Sequence, residues 1–191
     1  MTNATSAKAA KKPSSTYWGL AISLLNANTS PVIITFANTY TTRSQHYGLQ
    51  NGDNWFRHEP TDVSMNDKCE IIYDQCITTT RPIGANRPDI IIKDKTQKRA
   101  YIIDVACPVD TNVGKKEREK VEKYGGLRAE LERMWGVNAE IIPVIIGGLG
   151  PVTKNLGDCL TKIPGQPDQY MCQKISLLGS KRILQDVLKQ S

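Results

Sequence analysis

Four polar side chains stand where two apolar runs and a charged segment could bring them together. Asp89 comes directly before one apolar run, and Asp104 lies near the end of the next. Lys120 and Tyr124 follow in the charged segment, one helical turn apart. Two carboxylates at adjacent strand ends can share a divalent cation, because Mg²⁺ takes one or two carboxylates together with waters and a phosphate oxygen.

The lysine and the tyrosine extend this pattern towards hydrolysis of a phosphodiester. A lysine near such a cation can orient or deprotonate an attacking water, or stabilise charge that develops on the phosphate. A tyrosine hydroxyl can position the water or the phosphate. The same spacing also allows a purely structural arrangement. In that arrangement Asp89 caps a turn and Tyr124 belongs to the core, while Asp104 pairs with Lys120.

Composition predicts one soluble domain with a moderately basic surface. The 191 residues are 39% hydrophobic, which is enough for one core and hardly enough for two. No apolar run approaches the length of a membrane span. The net charge of +6 favours an anionic partner such as nucleic acid, and an ordinary basic surface explains it equally well.

Cysteine and histidine usage points to a reducing compartment, nuclear or cytoplasmic. The five cysteines form no Cys-x-x-Cys pair, so a disulfide framework is not expected. His46 and His58 have no paired spacing with the cysteines, and a zinc knuckle is not supported. A site drawn from His58, Cys69 and Cys76 is the remaining zinc alternative.

A change of composition divides the chain. Residues 1–52 contain no aspartate or glutamate and predict a poorly ordered or unrelated N-terminal segment. From Asp53 onward, charges of both signs are dense. We therefore expect residues 53–191 to form the domain that carries the chemistry, with a helical C-terminal tail.

Three β-rich runs predict the first strands of a sheet. They cover residues 70–78, 89–92 and 100–105. Residues 90–92 are continuously apolar, as in a strand buried on both faces. The polar turn at 93–96 makes a hairpin of the second and third strands the simplest pairing.

A helix and a fourth strand complete the predicted core. The helix should span residues 113–135, with Asn112 as its N-terminal cap. The strand at 139–147 should lie parallel to the one before the helix, because such units form right-handed crossovers. Pro143 within this strand indicates an edge position or a bulge.

The predicted helix should present one side to the sheet. Glu117, Lys120 and Tyr124 lie at steps of three and four, so they should point at the sheet edge where the aspartates emerge. The glycine pair at 125–126 weakens the helix by about 1 kcal/mol per glycine and predicts a kink or a tight packing contact. The predicted apolar face consists of Val121, Leu127, Leu131 and Met134.

Several of these segments together resemble one nuclease family. The strings RPDIII at 87–92 and IDVACP at 103–108 resemble the PD-(D/E)XK, restriction-like nuclease superfamily. More closely, they are similar to the endonuclease domain at the C-terminal end of non-LTR retrotransposon polyproteins. The similarity covers residues 53–191 and continues through KE at 116–117, EK at 119–120, KY at 123–124, RMW at 133–135, IPVIIG at 142–147 and LLGS at 177–180.

This resemblance implies an α/β, restriction-endonuclease-like fold with a small mixed β-sheet flanked by helices. It implies that Asp89 and Asp104 are the ligands of Mg²⁺, with Mn²⁺ as a possible substitute. Ala106 stands where the superfamily usually has a lysine. In the retroelement enzymes the lysine is displaced to the following helix, where Lys120 fits, with Tyr124 one turn on.

The resemblance also suggests DNA as the partner. Asn86 falls in the basic-His-Asn element of the family, in which Ala85 replaces the histidine. For each basic residue taken singly, a solvated surface position is the alternative to a phosphate contact. The candidate DNA-binding residues are Asn86, Arg87, Lys93, Lys115, Lys116 and Lys123.

The implied activity is that of a metal-dependent DNA endonuclease. It would nick a strand and supply a 3′ end to the reverse transcriptase of the parent element. The main alternative is a catalytically inactive remnant of such an element that still binds DNA. A third is a non-functional remnant whose N-terminal segment prevents proper folding.

Overall fold

The computed structural model describes residues 63–164 and 166–189. The predicted boundary between residues 1–52 and 53–191 lies outside the described residues, and so do His46 and His58. Within the described ranges, no helix is both long enough and apolar enough to cross a membrane.

A mixed β-sheet with flanking helices confirms the predicted α/β class. Strands β1 to β4 are successive antiparallel neighbours, and β5 lies parallel to β4 at the edge. The predicted hairpin, the parallel final strand and the edge position of Pro143 are all confirmed. The strands, in their order across the sheet, are β1 (Val63–Met65), β2 (Cys69–Tyr73), β3 (Ile90–Asp94), β4 (Arg99–Ala106) and β5 (Asn138–Ile145).

β1 was not predicted, and β3 continues to Asp94, two residues into the predicted turn. Two other strands end earlier than predicted. β2 ends at Tyr73 and does not continue to residue 78, because Asp74 has a φ of 44°. This left-handed backbone ends an extended strand. β5 ends at Ile145, and Ile146 forms an isolated antiparallel bridge with Val152.

The predicted helix at 113–135 is two helices, α1 (Val113–Lys123) and α2 (Gly125–Trp135). Tyr124 separates them with φ −97° and ψ 6°. A Cβ on Gly125 would meet nothing within 4 Å, so the interruption involves no tight glycine contact. Two further helices, α3 (Leu156–Lys162) and α4 (Gln169–Lys189), form the predicted helical tail.

The predicted side-chain cap at Asn112 is wrong. A 3-10 turn, Asp110–Asn112, runs directly into α1, and the Asn112 side chain makes no capping hydrogen bond. Its φ of −104° and ψ of 3° differ from the extended backbone that a capping side chain normally needs.

The sheet is buried on both faces, as predicted for residues 90–92. Ile90 and Ile92 belong to the apolar cluster under α3 and α4. Ile91 belongs to the opposite cluster, which α2 covers with Leu127 and Leu131. Both faces are therefore apolar, and the two aspartates must be accommodated at the margin of the second one.

The predicted apolar face of the helix is only partly correct. Leu127 and Leu131 are fully buried, and Met134 is half-buried. Val121 is 44% exposed, because it lines an open groove between α1 and the β5 residues Ile141 and Pro143.

Helix α4 is hydrogen-bonded to the glycine turn that follows β5. The hydroxyl of Ser176 donates to the carbonyl of Gly147 at 3.0 Å, and that of Ser180 donates to the carbonyl of Gly148 at 2.7 Å. The N–H of Gly147 donates to the carbonyl of Pro151 at 2.7 Å. In this turn a side chain at Gly147 would clash with Asp110 and Pro151.

Gly147→Ala should therefore lower the free energy of unfolding, by about 1–3 kcal/mol. Its Cβ would lie 2.5 Å from Asp110 Oδ1 and 2.6 Å from Pro151 Cγ. Urea denaturation of the full chain measures the change. Gly114→Ala in α1 is the control, because its Cβ meets nothing within 4 Å and alanine suits a helix better than glycine. Equal stability of Gly147→Ala and wild type would contradict the close packing.

Candidate functional site

The β3–β4 hairpin places the two predicted aspartates opposite each other. Ile90 pairs with Ile103 in the antiparallel ladder. Asp89, one residue earlier, therefore faces Asp104 across the two strands. Residues in such positions point to the same face, with Cβ atoms about 5 Å apart. Asp89 Oδ2 accepts a 2.6 Å hydrogen bond from the backbone N–H of Val105, which holds the carboxylate against β4.

Lys120 and Tyr124 approach Asp104 from the helix that follows. Lys120 Nζ forms an ion pair with Asp104 Oδ2. The Tyr124 hydroxyl donates a 2.6 Å hydrogen bond to Asp104 Oδ1. Asp104 is 2% exposed and Tyr124 is fully buried. The structure thus brings the lysine and the tyrosine onto one carboxylate, with Asp89 on the neighbouring strand.

The Tyr124 hydroxyl connects three elements. It accepts a 2.8 Å hydrogen bond from Lys123 Nζ and lies 3.1 Å from the carbonyl oxygen of Arg87. Because a phenol has one proton, the shorter and charged contact with Asp104 takes it. Tyr124 lies between α1 and α2, and its side chain points inward to Asp104.

Burial and mutual repulsion alter the acidity of the site. Burial first, and then the negative charge of Asp104, raise the pKa of Asp89 to about 7. The Val105 N–H and the Lys120 charge oppose this shift. Burial and the hydrogen bond to Asp104 raise the pKa of Tyr124 above its ordinary value. Tyr124 is therefore a neutral hydrogen-bond donor at neutral pH, where Asp89 is close to its titration midpoint.

The donor set fits a divalent cation that prefers oxygen. Two carboxylates share one face, and Lys120 supplies a single opposite charge beside them. Among the described residues, buried Asp104 Oδ2 has its ion pair with Lys120 and no hydrogen bond of good geometry. Asp89 and Asp104 could hold Mg²⁺ or Mn²⁺, with waters or a phosphate oxygen completing the shell. Over the described part of the chain, no group of three or more His, Cys, Asp or Glu side chains is placed to bind a metal.

Two features of the purely structural arrangement are present as well. Asp104 pairs with Lys120, and Tyr124 is fully buried. The third feature is wrong, because Asp89 does not cap a turn and instead bonds to Val105 across the hairpin. The hydrogen bond to Val105 holds the Asp89 carboxylate on β4, beside Asp104.

Three of the predicted DNA-binding residues lie beside the aspartates. Lys123 is exposed and bonds to the site tyrosine, with Nζ 4.5 Å from the centre of its ring. The Arg87 guanidinium contacts the carboxylate of Asp74 through Nε and Nη2, both at 2.9 Å. Asn86 Nδ2 donates to the carbonyl of Ile77 at 3.2 Å, so this amide braces the loop between β2 and β3.

The other predicted DNA-binding residues lie further along the elements. Lys116 is one turn of α1, about 6 Å, before Lys120. Lys115 and Lys116 both pair with Glu119. The structure does not bring Lys93 to the aspartates, because it lies near the opposite end of β3. Its Nζ stands 4.5 Å from the centre of a Trp135 ring.

Asp74 belongs to this region although the sequence did not single it out. Tyr73 pairs with Ile90, so Asp74 continues the register to Asp89. The N–H of Asp74 donates to the carbonyl of Asp89 at 2.8 Å. The opposition of Asp89 and Asp104 could have been derived from the short turn of the hairpin. No comparable signal exists for Asp74, because a long loop separates β2 from β3.

Asp89 should make the metal-free protein less stable as pH rises. A folded pKa of about 7 against an ordinary value of 3.8 means that the stabilising contribution is fully present below pH 3.8 and is lost as pH rises through 7. Each pKa unit corresponds to about 1.4 kcal/mol, so we expect a loss on the order of a few kcal/mol. Urea denaturation in EDTA at several pH values across this window measures it.

Asp89→Asn should remove this decline, because the amide does not titrate. Asp67→Asn changes an exposed aspartate on the β1–β2 turn and should retain the decline. A pH dependence in Asp89→Asn equal to that of the wild type would contradict the assignment to Asp89.

No protein-family model matches the chain, and no curated protein matches it at a significant level.

Proposed function

We propose that this chain is a metal-dependent DNA endonuclease with a restriction-endonuclease-like core. The observation that carries the proposal is the opposition of Asp89 and Asp104 across the hairpin, with Lys120 and Tyr124 both bound to Asp104. Placing the half-buried carboxylate of Asp89 opposite the buried one of Asp104 is unfavourable unless positive charge compensates them. A divalent cation bound between the two carboxylates would offset their repulsion, and this would explain why they lie together.

Each residue has a separate role in this proposal. Asp89 and Asp104 would hold Mg²⁺, or Mn²⁺ in its place. When bound, the cation would supply positive charge to the phosphate and lower the pKa of an attacking water. Lys120 places an ammonium group beside the same carboxylate, where it orients the water or stabilises charge on the phosphate. Tyr124, a neutral donor, orients the water or the phosphate.

The proposed substrate is DNA and the proposed product is a nicked strand. The basic balance of the chain and the exposed Lys123 beside the site support an anionic polymer as substrate. The retrotransposon-like strings support nicking, which would supply a 3′ end to the reverse transcriptase of a parent element. Such an activity would be exercised where DNA is accessible, in the nucleus or the cytoplasm.

A second candidate is a remnant that binds DNA without cutting it. The observation that favours it is that Lys120 and Tyr124 contact both oxygens of Asp104, which are the atoms that would bind the cation. The replacement of the family's histidine by Ala85 points the same way. This candidate predicts salt-dependent DNA binding that requires no metal.

Cleavage of supercoiled plasmid by the full chain separates the two candidates. We expect nicking with Mg²⁺ or Mn²⁺ and none with EDTA. Asp104→Asn and Lys120→Ala should each lower the nicking rate by about a hundredfold or more. Tyr124→Phe, which removes only the hydroxyl, should cause a smaller loss. Lys162→Ala is the control, because this lysine pairs with Glu140 outside the site.

Circular dichroism and urea denaturation would establish that each variant is folded. If the folded wild type binds DNA and never nicks it with either metal, the endonuclease proposal is wrong and the binding remnant is favoured. If nicking persists unchanged in Asp104→Asn, the activity belongs to other residues or to a contaminant.

A further inference from the structure

We propose that Asp74 and Arg87 act as one positioning unit, the Asp74–Arg87 clamp, which holds Asp89 in place for the reaction. This inference rests on the proposed endonuclease function and concerns the same site. In this inference Asp74 and Arg87 both keep Asp89 in position, whereas the sequence suggested that Arg87 binds a DNA phosphate. Neither residue would touch the reacting atoms, so both are positioning residues.

Three hydrogen bonds join the two residues of the clamp. Arg87 Nε donates to Asp74 Oδ1 at 2.9 Å and to the Asp74 carbonyl oxygen at 3.0 Å. Arg87 Nη2 donates to Asp74 Oδ2 at 2.9 Å. A guanidinium that binds both oxygens of a carboxylate fixes direction as well as distance. The additional bond to the main chain fixes the backbone of Asp74 together with its side chain.

The backbone of Asp74 needs such support. Its φ of 44° lies in the left-handed region, which aspartate tolerates better than most residues although it is still uncommon there. In this conformation its N–H donates to the Asp89 carbonyl oxygen at 2.8 Å. The clamp thus holds Asp74 in the conformation that bonds directly to the backbone of the proposed metal ligand.

Arg87 is connected to Asp89 along the chain as well. Only Pro88 separates them, and this residue is buried and restricted in φ. Holding the Arg87 guanidinium against Asp74 therefore restricts the backbone at the start of β3. The carboxylate of Asp89 then meets the Val105 N–H at 2.6 Å.

The clamp can be removed without opening the core. The side chains of Arg87 and Asp74 are 58% and 66% exposed. An exposed ion pair usually contributes little to global stability. Effects on DNA binding, turnover and local order can therefore be measured in variants that remain folded, namely Arg87→Gln, Asp74→Asn and the double variant. Asn at position 74 keeps the tolerance for a positive φ.

DNA binding in EDTA distinguishes a clamp from a phosphate contact. We expect Arg87→Gln to keep the affinity within twofold of that of Lys162→Gln, the control that loses an equal charge from an ion pair outside the site. The slope of log affinity against log salt should match as well. A slope lower by about 1 in Arg87→Gln than in the control would identify a phosphate contact and overturn the inference.

Turnover tests whether the two residues act as one unit. We expect kcat for plasmid nicking to fall about tenfold or more in each single variant, with KM for DNA unchanged. The double variant should lose no more than either single variant, because one intact partner cannot form the clamp. Losses that multiply in the double variant, or unchanged kcat in the single ones, would overturn the inference.

The rate of amide hydrogen exchange at Val105 tests the clamp without a measurement of enzymatic activity. Without metal and DNA, we expect the Val105 amide to exchange about tenfold faster in both single variants, because its acceptor is the Asp89 carboxylate. The Ile102 amide in the same strand should be unchanged. Unchanged exchange at Val105 contradicts the clamp. A wild type that never nicks DNA defeats the proposed function instead, and Val105 exchange still decides whether the clamp positions Asp89.

Discussion

Two carboxylates facing each other across a β-hairpin are the constraint on which the site depends. Asp89 and Asp104 lie in register at the margin of an apolar sheet, where like charges repel and burial opposes ionisation. One ammonium and one phenol converge on Asp104. These contacts reduce the free-energy cost of placing two ionised carboxylates together, but they do not remove it. The raised pKa of Asp89 reflects the cost that remains.

The architecture delivers those compensating groups. The parallel β4–β5 crossover carries α1 and α2 over the face to which the aspartates point. Tyr124 lies between the two helices, and its side chain points inward to Asp104. Lys120, one turn earlier, contacts the same carboxylate. The ion pair between Lys120 and Asp104 compensates a buried charge and so stabilises the fold. The same ion pair holds a lysine beside a carboxylate that could bind a cation.

Much of the fold could be predicted because its signals are local. Periodicity and turn residues identified the hairpin, the buried residues 90–92 and the edge strand with Pro143. Helical spacing also anticipated that Lys120 and Tyr124 would reach the aspartates. The errors arose where neighbours distant in sequence decide. Val121 follows the apolar period but faces an open groove, and Asn112 ends a 3-10 turn that leaves its side chain without a capping role.

The order of residues establishes which groups are available and, through the short turn of the hairpin, that Asp89 faces Asp104. The pairing of the remaining charges depends on the whole fold. The folded chain joins Arg87 to Asp74 across a long loop, and it places Lys93 over Trp135, away from the aspartates. The two cases differ because register within a short hairpin is a local property. The partner of a long, flexible charged side chain depends on which surfaces the whole fold brings within reach.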